Sequence, residues 1–262
     1  MELPEGCLAN IIARTTPKDA CRLSAVSKIF KSAAESDFVW CRFLPSDVVS
    51  LVSQSDSQSS FITHSTSKKS LYLALSDRPI LINQGKMSFQ LEKKSGKKCY
   101  MLAARDLTII WGDTRTYWQW ISLNESRIHR FSEVAQLIHV WWFEIRGVLS
   151  TIVLTPNTHY AAYLVFSLED YNIGFENCPV EVSISMLGGE ASTKNLILYP
   201  ESDGVRRLPN LRGNPWLEIE LGVFFVSGIE DEEVHIRVLE TAGVLKRGLI
   251  IEGIEFRPKE DN

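Results

Sequence analysis

The sequence predicts an α+β chain that is mainly β, with a small N-terminal helical segment followed by an antiparallel, jelly-roll-like β-sandwich. Three observations carry that reading. Apolar residues recur at helical spacing near the N-terminus; beyond about residue 99 they alternate with a period of two; and glycines and prolines punctuate the alternating runs as turns. With 45% hydrophobic and 23% charged residues among 262, the chain has an ordinary globular balance. It is long enough to bury a core without disulfide or metal staples.

The first helix is expected within Glu5–Arg14, where Leu8, Ile11 and Ile12 stand at i, i+3 and i+4 on one face. Thr16 is placed to cap a second helix and Pro17 suits its first turn. Ala20, Leu23, Ser24 and Ser27 then fall at helical spacing, and Val26, Ile29, Phe30 and Ala33 continue the pattern. Trp40 and Phe43 close the segment before Pro45. Short helices in so few residues cannot bury this apolar surface among themselves, which points to a partner.

Residues 46–70 change character, ten of the twenty-five being serine, and read as a solvated linker in which Val48, Val49, Leu51 and Val52 make one short helix. Lys93-Lys94 and Lys97-Lys98 flank Gly96 as a solvated hairpin turn. The β pattern is clearest at Val180-Val182-Ile184-Met186, Leu217-Ile219-Leu221-Val223 and Val234-Ile236-Val238, each alternating with polar residues. Stretches 137–145 and 160–168 are continuously apolar and fit central strands buried on both faces. Gly147, Pro156, Gly188-Gly189, Pro209, Gly213, Pro215, Gly243 and Gly248 mark turns. The expected divisions are residues 1–45, a connecting segment 46–98, and a sandwich 99–262.

Composition narrows the function classes. A net charge of −4 argues against wholesale binding to nucleic acid or an anionic membrane. Cys7, Cys21, Cys41, Cys99 and Cys178 are odd in number with no C-x-x-C spacing, so neither a zinc site nor a disulfide framework is suggested. Without a secretory signal or a long apolar run, a cytosolic or nuclear location is expected, with no cofactor. His64, His129, His139, His159 and His235 make no metal-ligand pattern, and there is no G-x-S-x-G elbow or glycine-rich phosphate loop. No spacing singles out a carboxylate pair for glycoside hydrolysis, so an enzyme is not expected.

Leu3-Pro4-Glu5, the run Thr16–Lys28 and Val39-Trp40 together resemble an F-box, the helical segment by which ubiquitin-ligase substrate receptors bind a Skp-type adaptor and through it a cullin. The resemblance implies that Leu3, Pro4, Leu8, Ile12, Pro17, Leu23, Val26, Phe30 and Trp40 serve adaptor docking or the small core behind it. Gly6 departs from the acidic residue common in that family and Thr15 from a common leucine.

The β body carries Ala104-Arg105-Asp106-Leu107, Trp111-Gly112-Asp113, Tyr117-Trp118-Gln119-Trp120 and Val140-Trp141-Trp142. Trp216–Gly222 and Lys246–Lys259 follow in order. Over about residues 99–259 these resemble the plant phloem protein two lectins (PP2-B-like), relatives of cytoplasmic-nuclear agglutinins that bind N-acetylglucosamine oligomers and N-glycan cores. An F-box joined to such a domain is an arrangement of that family. By motif, the family's two tryptophans and two glutamates assigned to sugar binding fall on Trp111, Trp118, Glu233 and Glu240. Sugar rings stack on aromatic faces while their hydroxyls need convergent polar partners, and the cluster Trp111, Tyr117, Trp118 and Trp120 suits the first need.

Each of these residues has a structural reading beside the functional one. Trp111 and Trp118 stand equally as core or rim aromatics, while Trp141, Trp142 and Trp216 are expected in the core. Glu218 and Glu220 read as solvated surface. Glu240 shares the inward parity of Val234, Ile236 and Val238, where a carboxylate needs a partner or a ligand. The loop Ser192–Asn195 lacks the lysine run that serves nuclear import in more basic family members. The resemblance thus implies a non-catalytic substrate-recognition subunit of an SCF-type ubiquitin ligase with a lectin-like domain for N-acetylglucosamine-containing glycans. The alternatives are a stand-alone lectin, or a receptor that reads protein surface through a degenerate lectin pocket.

Overall fold

The computed structural model describes residues 3–55, 66–122, 130–176, 178–186, 191–199, 209–213, 215–229 and 231–259. His64, His129, the Gly188-Gly189 turn and part of the serine-rich stretch lie outside them. The chain forms two compact units, Met1–Gln84 with Ser88–Cys99, and Gly85–Met87 with Tyr100–Asn262.

The first unit is helical. Helix α1 (Glu5–Ile12) buries Leu8, Ala9 and Ile12, whereas Ile11, expected on the same face, is 52% exposed. In α2 (Pro17–Leu23) Pro17 opens the first turn and the Thr16 hydroxyl accepts from the Asp19 amide at 3.1 Å. The apolar spacing that runs on past Leu23 does not make one helix. Ser27 instead caps a new one, α3 (Lys28–Glu35), by accepting from the Phe30 amide. Helix α4 (Asp37–Phe43) carries Trp40 into the centre, where its indole N–H donates to the Ala34 carbonyl at 2.7 Å.

Part of the serine-rich segment is helical. Short α5 spans Val48–Ser53, and α6 (Lys68–Asp77) opens on a Ser67/Ser70 capping box. Tyr72 of α6 packs on Trp40, with ring centroids 5.1 Å apart, and donates to the Glu92 and Lys93 carbonyls of the hairpin. That hairpin turns at Gly96, whose φ of +75° is the left-handed conformation glycine adopts without strain. Two short strands, β1 (Ile80–Ile82) and β2 (Met87–Leu91), pair beside it.

The second unit is the predicted antiparallel sandwich. Its larger sheet contains β3 (Lys98–Ala103), β5 (Trp118–Ser122), β6 (Glu133–Leu137), β8 (Thr158–Ile173), β11 (Asn210–Gly213), β12 (Trp216–Val226) and β14 (Arg247–Pro258). They run in the order β3-β14-β8-β12-β11, with β6 also on β14 and β5 on β6. The smaller sheet orders β10 (Ser192–Leu196), β9 (Val180–Met186), β13 (Glu233–Glu240), β7 (Phe143–Ser150) and β4 (Thr108–Ile109). Inner rows set the core: Leu102, Ile254, Leu164 and Ile219 line up across one sheet, and Val182, Val238, Ile145 and Ile109 across the other. The sheets meet where β7 has Gly147, since a Cβ there would lie 3.1 Å from Ile254. Along β14 a bulge falls between Ile251 and Gly253, and any side chain at Gly253 would run into the Leu102 carbonyl.

Four expectations need correction. Gly147 and Gly248, expected in turns, stand within β7 and β14. Stretch 137–145 is not one strand: β6 ends at Leu137 and β7 starts at Phe143. Between them the Ile138 amide donates to the Tyr117 carbonyl and Val140 bridges Lys246. Ser192–Asn195 is an edge strand rather than a loop. Glu218 and Glu220 are largely covered, because Arg257 reaches Glu218 at 2.7 Å and Lys259 reaches Glu220 at 3.0 Å. Beside them lies the buried Glu255. Burial works to raise its carboxyl, but Arg130, Arg212 and Arg257 outweigh that and hold it down at about 2.

Candidate functional site

On the helical unit the nine expected docking residues divide by burial. Leu8, Ile12, Pro17 and Trp40 are buried in the small core, Leu23 and Phe30 are half-buried, and Leu3, Pro4 and Val26 are exposed. Ile11 and Phe38, which periodicity did not single out as surface, are exposed as well. Residues Glu5, Gly6, Ala9 and Asn10 of α1, with Ser36 and Phe38, line an open recess of about 450 Å³. Exposed large apolar side chains flanking a recess are the ordinary makings of a protein-binding surface, where buried anchors supply most of the energy.

On the sandwich, the turn after β4 places Trp111 at φ +58°, an outlier for so bulky a residue, with its ring about half exposed. Its carbonyl accepts from the Thr114 amide at 2.8 Å. From Trp111 the rings run in a contiguous chain. Tyr117 lies 5.4 Å away centroid to centroid, His139 lies 5.6 Å beyond it, and Trp141 another 5.6 Å. Trp141 and Trp142 are 53% and 43% exposed, so both belong to the rim and not to the core; Trp216 is in the core as expected. For Trp141 the reason is parity. Val140 points inward from its bridge to Lys246, which turns its neighbours His139 and Trp141 outward. That alternation was the signal available to find them. Trp142, two residues from Val140, would turn inward by alternation, and its indole N–H donates instead to the Glu144 carboxylate.

Of the four predicted sugar residues, Trp111, Trp118 and Glu240 lie at one end of the sandwich and Glu233 at the other end of β13, but Trp118 and Glu240 are buried there. Trp118 is 2% exposed and stacks on Phe143, so it offers no face to a ligand. Glu240 is buried at the end of β13 in an ion pair with the fully buried Lys246, and accepts from the Ala242 amide at 2.6 Å. Burial pushes the Lys246 ammonium down from the usual lysine range, against a smaller opposing effect of Cys178. Lys246 also donates to the Trp141 and Val244 carbonyls, which ties the pair to the backbone of the rim. Glu233 opens the same strand, seven residues and roughly 23 Å away at strand rise, exposed and 3.2 Å from His235. Trp111 alone of the four therefore shows a ligand-accessible aromatic face.

Among the described residues no cluster of three or more His, Cys, Asp or Glu side chains is placed to hold a metal ion, and no helix is long and apolar enough to cross a membrane.

Comparison with known proteins follows the same division. Residues 97–258 match the family model for phloem protein 2, and residues 1–42 match that for the F-box domain. The Arabidopsis thaliana F-box protein PP2-B10 is 45% identical over 97% of this chain and 92% of its own length. PP2-B12 of the same plant is 45% identical over 99% and 98%, and PP2-B15 is 39% identical over 99% and 97%. Of solved structures, the chain is similar to a carbohydrate-binding module in complex with β-1,4-galactotriose at 11% identity and a TM-score of 0.32, covering 58% of this chain and 87% of that one. A likeness at that level carries no argument about a ligand.

Proposed function

The chain belongs to the phloem protein 2 family and carries an F-box, and from that premise we propose that it is the cargo-receiving subunit of an SCF-type ubiquitin ligase. The helical unit docks a Skp-type adaptor and through it a cullin. The sandwich holds the cargo, a glycoprotein bearing N-acetylglucosamine, with sugar stacked on the Trp111–Tyr117–His139–Trp141 rings. The chain performs no chemistry; it raises the effective concentration of an acceptor lysine beside the transfer machinery. Such a subunit works in the cytosol or nucleus.

The observation that carries the adaptor reading is the exposure of Leu3, Pro4 and Val26 on a unit whose own core is already filled by Leu8, Ile12 and Trp40. Co-purification with a Skp-type adaptor tests it. Leu3→Ala/Pro4→Ala is expected to weaken association roughly thirty-fold, as loss of one anchor of about 2 kcal/mol does. Absence of association in the wild-type chain would refute the reading.

A second reading is favoured by one observation: Trp118 and Glu240 are buried and Glu233 lies at the far end of β13, so none of the three offers a group to a sugar on the Trp111 rings. On that reading the sandwich takes protein surface instead of sugar. A glycan array with chitin oligomers and N-glycan cores separates the two.

A further inference from the structure

The outer face of the smaller sheet carries an arrangement that sugar stacking and adaptor docking leave unused. Arg146 of β7 and Arg237 of β13 stand directly opposite each other in the ladder. Like charges in that relation are unfavourable by themselves. Ser183 of β9 continues the row on the other side of Arg237, and Ser185 and His235 make the next row with Val148. These six residues line an open trough of about 340 Å³.

Beneath the arginines lies Glu144, with 3% of its side chain exposed. Its Oε1 accepts from Arg146 Nε and Arg237 Nε, both at 2.7 Å, and its Oε2 accepts from the Trp142 indole at 2.9 Å. Burial works against its charge, but these donors hold the carboxyl at about 2. One carboxylate therefore orients two guanidinium groups by their inner edges. Both terminal amino groups of Arg237, and Nη1 of Arg146, have no protein partner among the described residues. The same holds for the Ser183 and Ser185 hydroxyls. Glu233 on β13 lies beside His235, and Glu181 on β9 stands opposite Leu239 in the row of Glu144, one row from the arginines, so neither acid stands in the arginine row itself.

We propose that this trough is a second ligand site, which takes a phosphoserine or phosphothreonine side chain of a cargo protein. A dianionic phosphate offers three acceptor oxygens, and forked guanidinium donors flanked by hydroxyls complement them. Glu144 neutralises one of the two arginine charges and the exposed Glu181 stands one row away, so the row suits a single phosphate and not a polyanion, and the chain's net charge of −4 disfavours extended anionic ligands. The cargo assignment, though not the anion site itself, rests on the receptor reading above.

The test is fluorescence anisotropy with the full chain and labelled degenerate peptide pools, phosphoserine-centred against the same pool unphosphorylated. The phosphorylated pool is expected to bind at least tenfold more tightly. Arg237→Gln and Ser183→Ala should each weaken it, the arginine variant about tenfold or more, and Arg237→Lys should recover only part because it lacks the fork. Near-UV circular dichroism confirms that each variant is folded. Equal binding of both pools, or full retention by Arg237→Gln, would overturn the proposal. So would tighter binding of glucosamine-6-phosphate than of the phosphopeptide pool. Adaptor co-purification of the same variants should be unchanged. Wild-type phosphopeptide binding without adaptor association would defeat the receptor reading while leaving the site standing.

Discussion

Glu240→Gln separates a structural carboxylate from a sugar ligand. The side chain is 3% exposed and its Lys246 partner fully buried, so the substitution strands an ammonium away from water. Breaking a buried ion pair from one side costs about 3–5 kcal/mol, because the surviving charge keeps its desolvation penalty. For a unit of this size each kcal/mol moves the midpoint by roughly 2–4 °C, so the sandwich should melt about 6–20 °C lower. Removing both charges with Glu240→Leu/Lys246→Met should return it to within about 1.5 kcal/mol of wild type, as apolar replacement of buried pairs commonly does.

The assay is differential scanning calorimetry of wild type, Glu240→Gln, Glu240→Leu, Lys246→Met and the double Glu240→Leu/Lys246→Met, the last three read against wild type as a double-mutant cycle with a coupling of at least about 2 kcal/mol. Retention on immobilised chitotriose is measured at 4 °C on the same proteins. Normalised to folded fraction, Glu240→Gln should keep retention within about threefold. A variant that melts like wild type yet loses retention would refute the reasoning and make Glu240 a ligand to sugar.

Three further outcomes follow from the geometry. Trp111→Ala should abolish chitotriose retention with less than about 1 kcal/mol of stability change, whereas Trp118→Ala, emptied from the core beside Phe143, should cost about 3–5 kcal/mol in urea denaturation. Because Glu255 is held at about 2 in the fold, its contribution of about 3 kcal/mol is complete above its ordinary value of 4.5 and is lost as pH falls from there towards 2. Glu252, raised by burial, works in the opposite sense, so the urea midpoint should fall between pH 5 and 3 by less than Glu255 and Glu144 alone would dictate. Gly253→Ala forces the bulge in β14 off the Leu102 carbonyl and should destabilise the sandwich by about 2–3 kcal/mol, visible as a lowered thermal midpoint.

What the sequence disclosed and what it concealed divide along the range of the interactions involved. Caps and alternation are local. Thr16-Pro17 opens α2, and Val180–Met186 and Val234–Val238 are strands because their period of two survives any tertiary context. Glu240 was legible halfway, since inward parity at a strand's end announced the need for a partner. That the partner is Lys246, six residues on and across a turn, could not be told from a ligand by spacing alone. Trp141 and Trp142 went the other way. Apolar neighbours from 137 to 145 suggested a strand buried on both faces, yet the chain leaves the ladder after Leu137 and rejoins it only at Phe143. The exposed rings in that gap are what Trp111 has beside it instead of Trp118.

The buried charges mark the limit most clearly. Glu144 meets Arg237 from 93 residues away, and Glu255 meets Arg130 from 125. On their own strands each reads as one more polar residue. A β-sandwich brings distant segments into register, so the groups that decide whether a carboxylate is a ligand, a strut or a clamp come from strands far apart in the chain. The family pattern points to one end of the sandwich through Trp111. Only the fold shows Glu144 gathering two arginines on the opposite face of the same strand that carries Phe143 into the core.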